Sequence, residues 1–573
     1  MPVIEDWTGA PWRKLEQHLY RLQKRIYQAQ DRGNVKVVHS LQRLLVKSRA
    51  ARMLAVRRVT QENQGKQTAG VDGVKAIGPS VRLLFVDRLR SLDGIPAQPV
   101  RRVLIPKAGK PGEFRPLGIP VLLDRAAQTL ATFALEPQWE ARFEANSYGF
   151  RPGRSGHDAI EAIYLTIVHQ PKYVLDADIK GCFDHIAQEP LLNKLDTIPR
   201  IRRAVKAWLR AGVLAEGLFT PTTAGTPQGG CASPLLANIA LHGLEQAAAA
   251  AVYPAEPGED RRRRPVLIRY ADDFVILHRR RDAIVAARLA VEHFLADLGL
   301  HLHPTKTTIT HTLQPEEGRV GFDFLGFTVR QYACGKTKGG HAARGDGRLT
   351  WKTCITPSKS AVKRHVTRLG TLIRQYRGAP QAALIDRLNP IIRGWTNYYR
   401  TVVASATFAH CDSHRYTQLW RWARWRHPHR SARWTASRYW SFAPGRRWQF
   451  TVLHGDYQGL RLRNHTDTHI KRHVKVRGRA TPYDGNLPYW AQRLKNHPLT
   501  STTLGRLLAK QQGTCAYCGL TFTAQSLIDI DHTTPTSQGG ADFSHNYQAL
   551  HRHCHDQKTA NDLRHGVSLP MTT

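Results

Sequence analysis

Cysteine is scarce. There are eight in 573 residues, and only Cys515 and Cys518 lie close together. That excludes a disulfide-stapled secreted scaffold and points to a reducing compartment with room for one metal site. No run of about 18 apolar residues occurs, so no segment is expected to span a membrane. The opening MPVIEDWTGAPW lacks a basic start followed by an apolar stretch and carries Glu5 and Asp6. It reads as neither a secretory signal nor an organellar transit peptide. Acidic residues are also few: 44, against 84 Lys and Arg, for a net charge of +40 and a pI near 10.4. Solubility asks for far less, so the surplus calls for a polyanion, with nucleic acid first. Repeats and low-complexity tracts are missing. At 41% hydrophobic and 22% charged the chain is an ordinary globular one, and its length predicts two or three domains.

Over 11–60, Trp12, Leu15, Leu19, Leu22 and Ile26 recur at helical steps, and Val38, Leu41, Leu45 and Ser48 continue them. The polar, Gly-rich stretch 61–78 reads as a loop. From Val100 to about Val329, short β-rich runs (RRVLIPK, KYVLDADI, VLIRYADDFVIL, GFDFLGFTV) alternate with helical ones, an α+β pattern rather than a doubly wound sheet. Residues 331–350 read as a hairpin tip or linker. Residues 358–427 read as helices, with Val362, Val366, Leu369, Leu372 and Ile373 on one stripe. Between Ser413 and Trp448 stand nine arginines, six tryptophans and no acidic residue. The stretch 449–505 is polar and weakly patterned, and the last 65 or so residues cluster Cys, His, Asp and Asn.

The most informative string is Arg269-Tyr270-Ala271-Asp272-Asp273 between VLI and FVIL. Two β-rich runs around a polar turn predict a hairpin with carboxylates at its tip. Asp178 ends the run KYVLDADI 94 residues earlier. Carboxylates converging from separate strand ends can hold two divalent ions that serve an in-line displacement at phosphorus. An isolated Asp-Asp turn would more simply cap a hairpin.

These residues do not stand alone. YADD, with DADIKGCFD before it, resembles the palm of reverse transcriptases. RRVLIPKAGKPGEFRPLGIP (101–120) resembles that family's fingers block, and NSYGFRPGRSGHDAI (146–160) its second conserved block. GTPQGGCASPLLANIAL (225–241), HPTKTTI (303–309) and FDFLGF (322–327) follow in the order the family requires. The resemblance implies that Asp178, Asp272 and Asp273 ligate two Mg2+ and that Phe183 is the steric gate against a 2′-hydroxyl. It also implies that Lys107 and Arg115 clamp the dNTP triphosphate, that Gln228 lies under the nucleotide, and that Lys306 protonates pyrophosphate. Phe183 as a core residue and Lys306 as a solvated cation are the plainer alternatives.

The flanks resemble group II intron-encoded proteins: NQGKQTAGVDG (63–73) after the N-terminal helices, then LNPIIRGWTNYYR (388–400) and LWRWARWRHP (419–428) in the place of the maturase (X) thumb. Arg421, Arg424 and Arg426 are expected to meet RNA phosphates while Trp and Tyr stack on unpaired bases; some indoles would instead fill the helical core. The expected organisation is a helical extension (1–75), fingers and palm of a right-hand polymerase (76–350), a helical thumb (351–440), a basic DNA-binding segment (441–505) and a nuclease domain (506–573).

Near the C-terminus, Cys515-Ala516-Tyr517-Cys518 precedes His551-Arg552-His553-Cys554. A CxxC with a later HxxC can supply four ligands for tetrahedral zinc; a redox CxxC would not need the second pair. His551 and His553 compete for one position, and spacing favours His551. With Ile530-Asp531-His532, Gly539-Gly540, Asn546 and His555-Asp556-Gln557-Lys558, this resembles the HNH endonucleases, a ββα-metal fold with structural zinc. The resemblance implies that His532 is the general base, that Asp531 and His555 hold Mg2+ or another divalent ion, and that Asn546 holds the His532 loop and ring. A histidine base suits neutral pH. A zinc ribbon that only binds DNA is the simpler alternative.

Taken together, the resemblance implies a reverse transcriptase and maturase that binds intron lariat RNA and assists its splicing. It would nick a double-stranded DNA target and copy the intron from the nicked primer, in a cytoplasmic, nucleoid-associated, bacterial-type setting. Two rivals are a non-mobile maturase with a relict polymerase and a stand-alone nicking enzyme; intact DADIK, YADD and HNH residues argue against the first.

Overall fold

The computed structural model describes residues 6–107, 112–252, 264–335, 339–341, 347–443, 446–498, 500–522 and 526–565. The first apolar stripe becomes three helices, Trp12–Asp31, Val35–Lys47 and Arg49–Arg57. Leu15, Leu19, Leu22, Ile26, Val38, Leu41 and Leu45 are all buried. Ser48 does not continue the stripe. Its backbone turns extended (φ −66°, ψ 124°) and divides the second helix from the third. All three helices pack on Leu122–Glu140, which is buried on nearly every side. The loop after them is tightly held: buried Arg125 donates to the carbonyls of Gly65 (3.0 Å), Thr68 (2.5 Å) and Pro120 (2.7 Å). A Cβ at Gly70 would lie 2.7 Å from the Val121 backbone.

Strands are numbered along the chain. β1 (Val100–Pro106) and β2 (Phe114–Ile119) form an antiparallel hairpin; residues 108–111 of the fingers-like block lie outside the described residues. β3 (Tyr173–Asp178) belongs to another sheet, while β4 (Val213–Ala215) and β5 (Leu218–Thr220) extend the hairpin in the order β2-β1-β4-β5. β6 (Val266–Tyr270), β7 (Asp273–His278) and β8 (Thr308–His311) join β3 as an antiparallel sheet, β6-β7-β3-β8. β9 (Phe322–Phe324), β10 (Phe327–Ala333) and β11 (Trp351–Pro357) form a third. Pairing is antiparallel except between β1 and β4, which run parallel, and with helices packed alongside it fits the α+β reading. Pairing of β10 with β11 spans position 350, so a division there passes through a hairpin; 336–338 and 342–346 of its tip lie outside the described residues.

Lys359–Gln375, Gln381–Tyr399 and Ser405–Arg426 form the expected helices. The Ser358 side chain caps the first by accepting from the Ala361 amide. Their core is completed from downstream. β12 (Trp440–Ala443), β13 (Arg446–Phe450) and the chain to Leu462 bring Trp440, Phe450, Val452 and Leu462 against Leu369, Leu388 and Trp422. Residues 465–498 then turn back over the earlier part of the chain. Tyr20 donates to Pro482 O at 3.1 Å, Arg154 to Gly478 O at 3.0 Å, and Arg493 pairs with Asp158 at 2.9 Å. The polar appearance of 449–505 therefore conceals two structural tasks. Beyond Thr502–Lys510, β14 (Ile528–His532), β15 (Tyr547–His551) and the helix Arg552–His565 make a small ββα unit.

Candidate active sites

Antiparallel register places Asp178 directly opposite Asp273, and Ala271 and Asp272 form the turn between β6 and β7. The turn is tight. Ala271 adopts φ 60°, a left-handed conformation that costs a non-glycine residue about 1 kcal/mol or more. Buried Arg269 supports it, donating to Ala271 O at 3.1 Å and to Asn238 Oδ1 at 2.8 Å. Asn238 in turn donates to Gly149 O at 2.9 Å. A Cβ at Gly149 would come within 2.2 Å of the Ala271 amide, which explains why the SYGF block brings a glycine here. Sequence reading passed over Arg269, whose position inside the string RYADD was the available signal.

The carboxylates are crowded. Desolvation, then the charges of Asp272 and Asp178, push Asp273 up to about 7. Asp272 is raised chiefly by desolvation. Asp176, two residues before Asp178 and so on the same face of β3, is also pushed up to about 7, by desolvation and then by Asp273. It was not singled out from sequence. The Lys306 ammonium contacts the Asp178 carboxylate, and Arg115 and Lys306 are the cations that draw the Asp272 and Asp273 values down.

Of the other nucleotide-site candidates, Arg115 acts on this acidic edge through its charge, and Phe183 and Gln228 belong to linked turns. Phe183 sits half-buried in the turn of helix Cys182–His185, its ring edge-on to Phe150 at 6.0 Å. The loop containing Gln228 is tied to that turn: Thr226 N donates to Phe183 O (2.6 Å) and Gln228 Nε2 to Asp184 Oδ2 (3.2 Å). Gly118 N donates to Gln228 O at 2.6 Å, linking the loop to β2. Arg115 is exposed on β2, and Lys107 at the end of β1 pairs with Glu113 at 3.1 Å.

Among the helix-end arginines, Arg421 is exposed. Arg426 is instead engaged in the fold, donating to the carbonyls of Arg377 (2.6 Å) and Ala379 (2.9 Å), with its guanidinium 4.9 Å over the Trp422 ring. Arg424 contacts Arg430 O. The three therefore do not form an equivalent set of free cations.

In the C-terminal unit, the ligand atoms of Cys515, Cys518, His551 and Cys554 all lie within 4.8 Å of one another. His551 joins the cluster, with Nδ1 3.5 Å from Cys518 Sγ. The His553 ring stacks on His551, but its Nε2 meets Arg57 of the N-terminal helices. Burial, then the charge of Arg57, pushes His553 down to about 2, so it faces that guanidinium neutral.

Asp529 and Asp531 share one face of β14 and both reach His555: Nδ1 lies 3.4 Å from Asp529 and Nε2 3.5 Å from Asp531. Lys558 also reaches Asp531, at 3.2 Å. Buried Asn546 accepts from Thr534 N (2.9 Å) and donates to the carbonyls of Thr534 (2.9 Å) and Ala541 (3.0 Å). It holds the loop after His532 but not the ring. The ring partner is Asp542, whose Oδ1 lies 3.0 Å from His532 Nε2. Sequence reading assigned both tasks to Asn546 because nothing in one dimension shows which acid a loop brings back.

Known families match the chain in the same order. The N-terminal domain of reverse transcriptase matches residues 7–89, reverse transcriptase (RNA-dependent DNA polymerase) 105–329, the group II intron maturase-specific domain 362–440, and HNH endonuclease 515–561. Protein YkfC of Escherichia coli is 34% identical over 47% of this chain and 77% of its own length. The group II intron-encoded protein LtrA of Lactococcus lactis is 30% identical over 48% of this chain and 54% of its own. Maturase-like protein 1 of Euglena gracilis is 27% identical over 41% and 51%. The chain thus spans about half the length of the latter two. No helix among the described residues is long and apolar enough to cross a membrane. The chain belongs to the group II intron-encoded proteins, with reverse transcriptase and maturase-specific domains followed by an HNH endonuclease domain.

Proposed function

We propose that this protein is the reverse transcriptase, maturase and DNA-nicking enzyme of a mobile group II intron. It assists splicing of its intron RNA, nicks a double-stranded DNA target with the HNH domain, and extends the new 3′ end on the RNA template. The observation that carries the polymerase reading is the register of Asp178 against Asp273 with Asp272 at the adjoining turn. The β6-β7-β3-β8 sheet is then the palm, the β1–β2 hairpin part of the fingers, and the helices over 359–426 the thumb.

Desolvated, mutually repelling carboxylates with few cations beside them suit divalent ions, and Asp178, Asp272 and Asp273 would hold two Mg2+. Bound there, the ions would lower the pKa of the primer hydroxyl and offset charge on the departing pyrophosphate. Lys306, against Asp178, would give pyrophosphate a proton. Phe183 would close the floor beneath the sugar, Gln228 would bear on the nucleotide, and Lys107 and Arg115 would take the triphosphate from the fingers side. In the HNH domain the thiol-rich cluster suits structural zinc. Asp531 and His555 would hold a divalent ion that stabilises charge at the scissile phosphate, while His532 takes the proton of the attacking water. Arg421 and its basic surroundings would meet RNA phosphates, and residues 441–505 would contribute to DNA binding beside their structural tasks.

Primer extension on an RNA template tests the proposal. Wild-type protein should make cDNA with Mg2+, and Asp273→Asn should abolish it while RNA-assisted splicing persists. A wild-type protein that promotes splicing but makes no cDNA would instead be a non-mobile maturase.

A further inference from the structure

We infer that Asp542 is a positioning residue for His532, fixing which ring nitrogen is free to take a proton. The inference rests on the reading of His532 as general base. His532 ends β14, with Tyr547 directly opposite it on β15. The Asp542 carboxylate lies 3.0 Å from His532 Nε2 and accepts the Tyr547 hydroxyl on the same oxygen at 2.6 Å. Tyr547 also lays its ring edge-on to the imidazole at 5.2 Å. Two side chains, linked to each other, thus define one orientation for a ring that is otherwise only partly covered.

The loop is built to deliver that carboxylate. Asn546 grips both ends of 534–541, and Thr533 N donates to Asn546 O at 2.7 Å. A Cβ at Gly540 would lie 2.0 Å from Thr534 O, so the loop closes this tightly only with glycine there. Asp542 follows immediately after the gripped Ala541. Closure therefore sets the position of the acid.

A carboxylate accepts hydrogen bonds and does not donate them, so it selects the tautomer with the proton on Nε2. Nδ1 then keeps its lone pair, as a base requires. During proton transfer the proton of the attacking water passes to Nδ1, and the positive charge that forms on the ring is stabilised by the Asp542 carboxylate. An amide in its place can present its NH2 to Nε2 and favour the opposite tautomer, with the lone pair wrongly placed.

The test uses the full chain, purified with the RNA it binds, and second-strand nicking of target-site DNA with Mg2+. Asp542→Asn should lower kcat for nicking by about 10- to 100-fold with KM, zinc content and cDNA synthesis from an annealed primer unchanged. Asp542→Glu should recover most of the loss, because it restores an acceptor. Nicking by Asp542→Asn at the wild-type rate would overturn the inference, as would a loss confined to KM, since the residue would then serve DNA docking. If Asp542→Asn lost zinc, the role would be structural and the inference equally wrong. Nicking by His532→Ala at the wild-type rate would remove the general-base reading itself, and is thus distinguishable from a failure at Asp542 alone.

Discussion

The Asp158 carboxylate meets the Arg493 guanidinium at 2.9 Å, joining residues 335 positions apart in the chain. The same oxygen takes His473 Nε2 at 3.1 Å and the Val476 amide at 2.8 Å, while the other caps its own helix through Ser155 N at 2.8 Å. One buried acid thus holds the segment 465–498 onto the reverse transcriptase domain.

Asp158→Asn should therefore cost about 3 kcal/mol, since partly buried Arg493 would lose its countercharge. Burial opposes ionisation of Asp158, but His473, Arg493 and the Val476 amide outweigh it and hold the carboxyl well below the usual range. A depressed pKa means that this stabilisation is complete above about pH 4 and is lost as pH falls through the folded value. Urea unfolding at pH 7 and pH 3 should show the wild-type–variant difference shrinking at low pH. Limited proteolysis should cut the variant first within 465–498; equal resistance would show that the clamp is dispensable.

Phe183→Val removes four side-chain carbons and should relax sugar discrimination by at least about 10- to 200-fold, the range that a single methylene carries in a pocket. Its ring is braced by Phe150, so Phe150→Ala should loosen selectivity in the same direction and by less. Relative dNTP and rNTP incorporation on one template reads both, and unchanged ratios would take Phe183 out of the gate.

The cysteine cluster separates two neighbouring histidines. Purified protein should carry about one zinc per chain. His551→Ala and Cys515→Ser should lose it and expose residues 506–565 to protease, because so small a core leans on its metal. His553→Ala should keep zinc and loosen only the contact with Arg57. Zinc lost in His553→Ala but retained in His551→Ala would reverse the assignment.

The basic helix end should divide by role. Arg421→Glu should flatten the dependence of log affinity for intron RNA on log salt by about one unit or more, with Tm unchanged. Arg426→Glu should lower Tm, because two carbonyls lose their donor at a cost of about 1–3 kcal/mol. Equal effects of the two on both readouts would contradict this division.

Much of the site was legible in the sequence because its signals are local. The run VLIRYADDFVIL needs only neighbouring residues to become β6, a turn and β7. CxxC and HxxC each carry two ligands within one turn of chain, so a single meeting, held by Ala516 N donating to Ala549 O at 3.2 Å, completes the cluster. Helical stripes at 15, 19, 22 and 26 declare their buried face at once, since burial there follows a fixed 3.6-residue period.

What the sequence by itself determined was the set of ordered blocks and the residues bearing charge, thiol and imidazole. Tertiary structure alone decided which of these face one another. It turned the polar stretch 449–505 into the closing part of a hydrophobic core and a clamp, placed Asp176 beside the paired carboxylates, and drew His553 toward Arg57 instead of the cysteines. It also gave the His532 ring to Asp542 and left Asn546 with the loop. The physical reason is common to all four. Periodicity encodes which face of an element is buried, whereas a hydrogen bond between side chains depends on the path of the intervening loop, and loop paths are set by closure and packing that no local pattern records.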